Sequence, residues 1–408
     1  MHILFITDNF PPEGNAPATR TFEHTREWVD KGHKVTVITC APNFPEGKVF
    51  EGYKNKWLSK QKIEEINVWR VKTYITANEG FIKRTIDFIS FMLSSLFFGL
   101  FTQKIDVVIG TSPQFFTVIS AWALAKFKRV PFVFELRDIW PASIIAVGAM
   151  KGNWIIKVLE KLELFLYHQA DLIISVTHSF KRELQDRGVS ANKIKVVLNG
   201  VDLSKYKPLP EKDKAFSEEF QLQDKFVAGY VGTHGLAHAL DSIIEAAEIL
   251  KADDDIRVIF VGGGADRARL EKLIEVRDLP NVVMIPKQPK ENMQKIWSLC
   301  DISLVSLKDT PLFSTVIPSK IFESMAMNLP IIISVPEGES TQIIRTQKAG
   351  LVIPPEDSNS LSEAMLNIKK DKNLYHYLAD NSRLAASKFN RKTLAIDMLG
   401  HIKKLVKC

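Results

Sequence analysis

Short Val- and Ile-rich runs alternate with longer helical patterns along this chain, and the series runs through twice. In the first half, strands are predicted at Ile3–Thr7, Lys34–Thr39, Val68–Val71, Val107–Gly110, Phe132–Leu136, Leu172–Val176 and Lys195–Val197. These runs lack strict apolar–polar alternation, which marks parallel strands covered on both faces. Helices are predicted at Thr19–Lys31, where Gly32 supplies the C-terminal stop, and at Asn153–Gln169. "VVLNGVDLSKYKPLPEKDK" then turns polar and proline-bearing, which places a linker at 202–223. A second series follows, with strands at Phe226–Tyr230, Arg257–Val261, Val282–Ile285, Ile302–Val305 and Leu351–Ile353 around helical stretches. Two such series predict an α/β protein of two doubly wound, Rossmann-like domains facing each other across a cleft. Ligands of such sheets bind beyond the carboxyl ends of the strands, so the residues just after each strand carry the functional information.

A length of 408 residues fits two domains. The formal charge of +7 favours anionic partners, and with no nucleic-acid motif in the chain, nucleic acid is not an expected one. Cys40, Cys300 and Cys408 are far apart without metal-ligand spacing, which suits a reduced, cytosolic chain. "MHILFITDNFPP" reads as a first strand rather than a signal segment, because its apolar run is short and no basic stretch precedes it. Phe81–Phe101, "FIKRTIDFISFMLSSLFFGLF", is shorter in its apolar part than a membrane span. It reads either as a helix lying on a membrane, with Lys83 and Arg84 toward lipid phosphates, or as a buried helix of the first domain.

Five stretches carry candidate chemistry. "DNFPPEGNAPATR" follows the first strand; its small Gly14 and Ala18 let backbone N–H groups approach an anion at a helix start, against the plain reading of a surface loop. "FELRDIWPAS" puts Glu135, Arg137 and Asp138 at a strand end; Arg137–Asp138 is a structural ion pair or, for Asp138, a general base or acceptor-orienting carboxylate. "GYVGTHGLAHALDS" sets Gly232 and Gly235 around His234 in a phosphate-suited turn. His238 lies four residues on, but no third ligand is near, so no metal is expected. "VGGGADR" brings Gly263 and Arg267 to a tight turn that a plain strand-to-helix connection also explains. In "PSKIFESMAMNLPIIIS", Ser319 is a candidate helix cap, and Lys320 and Glu323 share one face of a helix whose other face is apolar. A diphosphate would meet Lys320, and a ribose diol would meet Glu323; the bland alternative is an exposed ion pair worth under about 1 kcal/mol.

With these motifs in hand, the chain resembles the family-4 retaining glycosyltransferases of the GT-B fold over nearly its whole length. "NFPPEGNAPATR", "VVLNGVD", "VGGGADRARL", "CDISLVSL", "PSKIFESMAMNLPII", "AGLVIPPED" and "LADNSRLAASKF" carry the likeness. "LRDIWPAS" and "VIPSKIFE" resemble a subgroup from bacterial surface-polysaccharide clusters that includes candidate N-acetyl-L-fucosamine transferases. The resemblance implies an acceptor-binding domain at 1–201, a donor-binding domain at 224–385, and a C-terminal helix at 386–408 returning to the first domain. It implies a metal-independent, cofactor-free transfer from a UDP-sugar to a lipid-diphosphate-linked saccharide, at the inner face of the cytoplasmic membrane. Glu339 and Ser340, with Pro336–Gly338, are then expected to line the sugar pocket.

Three positions depart from the family pattern. Glu323 matches the second of two glutamates eight positions apart, but Thr315 stands at the first. "GTHGLAHAL" lacks the usual Arg and Lys, leaving Lys320, with Arg267 or Lys287, to neutralise a diphosphate. Arg137 replaces a common His. Rival readings are a nucleotide-sugar 2-epimerase of the same fold and an inactive membrane-associated homologue.

Overall fold

The computed structural model describes residues 1–44, 46–76, 81–112, 114–140 and 154–406. Its chain divides into two compact units, Met1–Leu198 with Arg391–Cys408, and Asn199–Asn390. The last three residues of the "LRDIWPAS" motif, and Asn153, lie outside the described residues.

The first unit is built on β1 (His2–Ile6), β2 (Lys34–Cys40), β3 (Leu58–Ile63), β4 (Ile66–Val71), β5 (Val107–Thr111), β6 (Phe132–Leu136), β7 (Leu172–Ser175) and β8 (Ile194–Val196). They form one sheet in the order β3-β4-β2-β1-β5-β6-β7-β8. Neighbours pair in parallel except β3 and β4, which form an antiparallel hairpin at the edge. Sequence reading overlooked β3, whose "LSKQKI" carries exposed Lys60 and Lys62; such charges suit an edge strand but hide its β pattern. Helices α1 (Ala16–Asp30), α2 (Phe81–Leu100), α3 (Phe115–Lys128), α4 (Trp154–Gln169) and α5 (His178–Asp186) connect the strands. The final helix, Arg391–Val406, packs on α1 within this unit, where Trp28 Nε1 donates to the Ala395 carbonyl at 2.8 Å.

The second unit has β9 (Phe226–Val231), β10 (Ile256–Val261), β11 (Val282–Ile285), β12 (Ile302–Ser306), β13 (Ile331–Ser334) and β14 (Gly350–Ile353), all parallel. Their order is β11-β10-β9-β12-β13-β14. Helices α6 (Lys214–Glu219), α7 (Leu240–Ile249), α8 (Arg267–Val276), α9 (Met293–Ser298), α10 (Lys320–Ala326), α11 (Glu339–Gln347), α12 (Ser358–Lys370) and α13 (Lys372–Ala386) surround it. α6 sits inside the stretch read as a linker.

Each sheet has a point where the strand order reverses: between β1 and β5 in the first unit, and between β9 and β12 in the second. Loops leaving the carboxyl ends of two such strands diverge to opposite faces and leave a crevice. Both candidate sites described below lie at those points.

Candidate functional site

In the second unit the crevice is walled by backbone. Gly232 leaves β9 with its N–H donating to Val261 O at 2.9 Å, and His234 N–H donates to Gly263 O at 2.9 Å. The turn after β10 interlocks with this one. A β-carbon on Gly262 would stand 2.0 Å from the Gly232 carbonyl oxygen, and one on Gly264 would stand 2.2 Å from that of His234. Both glycines also have positive φ, so only glycine fits. Gly263 between them faces open space.

Lys320 enters this wall from α10. It is 8% exposed, and its Nζ has no hydrogen-bond partner. The amine lies 3.5 Å above the centroid of the Tyr230 ring. A β-carbon at Gly232 would meet it at 3.1 Å. Burial pushes the Lys320 pKa down to about 7, with Glu323 opposing the shift. An unpaired buried ammonium is costly, so burial moves the amine toward its neutral form.

His234 and His238 edge the same ring, at 6.0 and 6.1 Å between centroids. His234 is fully buried with both ring nitrogens unpartnered, and His238 Nδ1 is unpartnered too. Burial, with Arg267 and Lys320 near His234 and Lys320 near His238, lowers each to about 4. Both imidazoles are therefore neutral at physiological pH. Ser340, at the start of α11, is a further fully buried group with an unpartnered Oγ. So many unmet polar atoms after the carboxyl ends of one sheet are unusual, since buried polar groups are ordinarily paired. Together they offer donors and latent positive charge to an anion.

Other predicted residues are placed differently. Arg267 is committed to the protein: its Nη1 donates to the Gly262 and Ile285 carbonyls at 2.7 and 2.9 Å, and its Nε pairs with Glu271 at 2.7 Å. It ties the ends of β10 and β11 together. Lys287 is exposed just after β11. Ser319 makes no side-chain cap bond and is already helical, so the turn begins one residue earlier than expected. Glu323 is partly exposed, and Glu339 is buried at the start of α11.

The first unit's crevice has the opposite chemistry. Asp8 and Asn9 follow β1, and Asn9 Oδ1 accepts from Asn15, whose own Oδ1 caps Ala18 N–H at 2.9 Å. This chain of bonds sets α1 at the strand end. Gly14 is exposed in that loop. Burial raises Asp8, with Arg137 partly offsetting it. Glu13 is raised to about 7 by burial although its Oε1 accepts from the Asn43 and Phe44 N–H groups at 2.8 and 3.0 Å. Asp87, reaching in from α2, is also raised to about 7 by burial and by Asp8. Sequence reading did not single out Asp8, Glu13 or Asp87. Asp87 had no local signal, because it lies within an apolar helix.

Arg137 leaves β6 with its N–H on Ser112 Oγ at 2.8 Å and its Nη1 on Pro17 O at 3.2 Å. Burial lowers it to about 10. Asp138 is partly exposed, and its N–H donates to the same Ser112 Oγ at 3.2 Å. Glu135, expected near substrate, is instead sealed in the core by Arg20 at 2.9 Å, which also donates to Leu198 and Val197 carbonyls. No cluster of three or more metal-type ligands occurs among the described residues.

Two family descriptions match the chain: "Glycosyltransferase Family 4" over residues 18–205 and "Glycosyl transferases group 1" over residues 211–385. A relative from Escherichia coli, the candidate colanic acid biosynthesis glycosyl transferase WcaI, is 28% identical over 80% of this chain and 81% of its own length. A Pseudomonas aeruginosa relative, the candidate glycosyltransferase WbjE, is 24% identical over 63% of this chain and 64% of its own. Among solved structures, sucrose-phosphate synthase from Thermosynechococcus elongatus superposes with a TM-score of 0.77 at 16% identity, covering 99% of this chain and 98% of that one. Anabaena HepE in complex with UDP gives 0.75 at 15% identity, covering 99% and 100%.

Proposed function

We propose, from the premise that the chain is a family-4 glycosyltransferase of the GT-B fold, that it moves a hexosyl group from a UDP-sugar to a lipid-linked saccharide during bacterial surface-polysaccharide synthesis. The observation that carries this reading is the buried, unpartnered Lys320 amine within a glycine wall at the strand-order reversal of the second unit. A nucleoside diphosphate supplies the negative charge that such a site lacks. UDP is preferred because the HepE relative in structure holds UDP. The polysaccharide setting follows the E. coli relative, whose name places it in colanic acid synthesis.

As the anomeric bond breaks, negative charge grows on the diphosphate. The diphosphate of the bound donor holds Lys320 in its charged form, the proton coming from solvent on binding, and the ammonium then stabilises the leaving group as its charge grows. His234 and His238 add neutral N–H donors, and Glu323 is the candidate ribose ligand. The first unit receives the acceptor, with Asp8, Arg137 and Asp138 orienting its hydroxyl. Transfer proceeds with retention and without a metal, as expected for the family. The outward side of α2 holds the protein peripherally at the inner face of the membrane, where its acceptor resides.

A thermal-shift series with UDP, GDP, ADP and NAD, followed by UDP release from a UDP-sugar with and without polyprenyl-diphosphate saccharide, tests this reading. The expected result is stabilisation by UDP and release that depends on acceptor. Stabilisation by NAD alone overturns it, and sugar turnover that needs no acceptor marks an epimerase instead.

A further inference from the structure

α2 packs one side inward, through Phe91 and Ser95, and leaves Ile86, Leu93, Phe97 and the following Phe101 exposed. These recur at helical spacing along one stripe. The inward side settles half of the earlier alternative, since the helix is part of the core; the exposed side remains to be accounted for. It is not alone. α4 exposes Trp154 at 74%, Val158 and Phe165, again on one stripe, with exposed Lys157 and Lys161 between them. The sequence predicts a helix here and gives it no role.

α3 joins the two. Ser95 Oγ on α2 meets Ser120 Oγ on α3 at 3.0 Å, and Lys128 Nζ on α3 donates to the Leu100 carbonyl at 3.1 Å. On its other side, Trp122 of α3 packs edge-on against Phe165 of α4, with 5.4 Å between centroids. All three helices cover the same apolar side of the sheet. Their outward sides therefore form one layer, and Phe127, 70% exposed at the end of α3, continues it.

We infer that α3 and α4 join α2 in a single docking floor for an anionic bilayer surface, with Trp154, Lys157 and Lys161 of α4 as its second anchor. The inference rests on the membrane attachment proposed above and extends it to a helix with no part in that reading. Charge selects the occupant. Exposed Lys83, Arg84, Lys126, Lys157 and Lys161 accompany the apolar rows, and exposed Glu160 offsets one of them, leaving the balance basic. Lysine is depleted from the centres of protein–protein interfaces. A bilayer surface accepts this pattern readily, because aromatic rings settle at the headgroup level and lysines meet lipid phosphates. No described helix is long and apolar enough to cross a membrane, so the contact is along the surface.

The test is flotation of the full chain with phosphatidylcholine vesicles, with and without phosphatidylglycerol. The parent is expected to float with the anionic vesicles. K157E/K161E is expected to lose roughly twenty-five-fold or more in partitioning, at about fivefold per lysine lost. W154S/V158S is expected to lose roughly tenfold, since apolar burial drives the remainder. All four side chains are exposed, and unchanged melting temperatures confirm that the variants fold. If both α4 variants float like the parent while L93S/F97S on α2 does not, the α4 anchor is wrong and the attachment through α2 stands. If the parent itself fails to float, both are overturned and the layer is a protein contact.

Discussion

After β1, the first unit places Asp8 and then Glu13 where the strand order reverses, and Asp87 comes in from α2. After β9, at the matching point of the second unit, stand Gly232, His234 and the buried amine of Lys320. The two sheets share a topology there and differ in sign. In the first unit burial raises carboxyl groups toward protonation; in the second it lowers an amine and two imidazoles toward neutrality. Desolvation thus lowers the charge of these groups in both crevices, although Arg137, near 10, stays charged in the first, and the two crevices suit different partners. Protonated or half-protonated carboxyls suit the hydroxyls of a neutral saccharide. Unpartnered nitrogens suit a phosphate. On the proposed reading, one fold used twice separates the two substrates by the chemistry of a few loop residues.

The sharpest way to break this contrast is to remove the amine. Lys320→Met is expected to weaken UDP binding roughly a hundredfold, because bonds to charged groups contribute about 1.5–3 kcal/mol each. The same variant should melt at or above the parent temperature, since the free protein no longer buries an unpaired amine. A variant that binds UDP normally would move the anion site elsewhere. Asp8→Asn tests the other half. Its turnover is expected to fall roughly a hundredfold, the scale of a reacting hydroxyl that is no longer held in line. Its UDP affinity should match the parent in a calorimetric titration; a shared loss of affinity would erase the division of labour. His234→Phe keeps a ring against Tyr230 and Phe260 but removes the imidazole nitrogens. A neutral donor contributes about 1 kcal/mol, so UDP affinity should drop only about fivefold. A loss as large as that of Lys320→Met would mean that the histidine binds as a cation.

The fold was legible because parallel strands need unbroken apolar runs, and "HILFI", "FVAGYV" and "IRVIFV" supply them. β3 escaped because an edge strand tolerates lysines. Lys320 stood out as a charge among core residues, and the structure keeps it there. What a sequence cannot display is who else arrives. Glu135 looked available beside Arg137, yet its partner Arg20 lies 115 residues away and closes it off. Arg267 looked like a phosphate ligand until its guanidinium met two carbonyls at the ends of separate strands. Tyr230 read as one more strand residue, though its ring is the surface on which the amine rests. Asp87 met Asp8 only through tertiary packing of α2. Partners close in sequence could be read, and those brought by distant strands could not.

Lys320, lowered to about 7 by burial, should become charged when a nucleoside diphosphate binds. The sign is fixed by that direction of shift. Above pH 7 the free amine is mostly neutral, so binding must draw a proton from the buffer and affinity must fall as pH rises toward 9. His234 and His238, near 4, stay neutral throughout that range. UDP titrations at pH 8 in buffers of different ionisation enthalpy measure this proton directly. The expected uptake approaches one proton per UDP in the parent and is zero in Lys320→Met. An uptake of zero in the parent, or an equal uptake in both proteins, would contradict it.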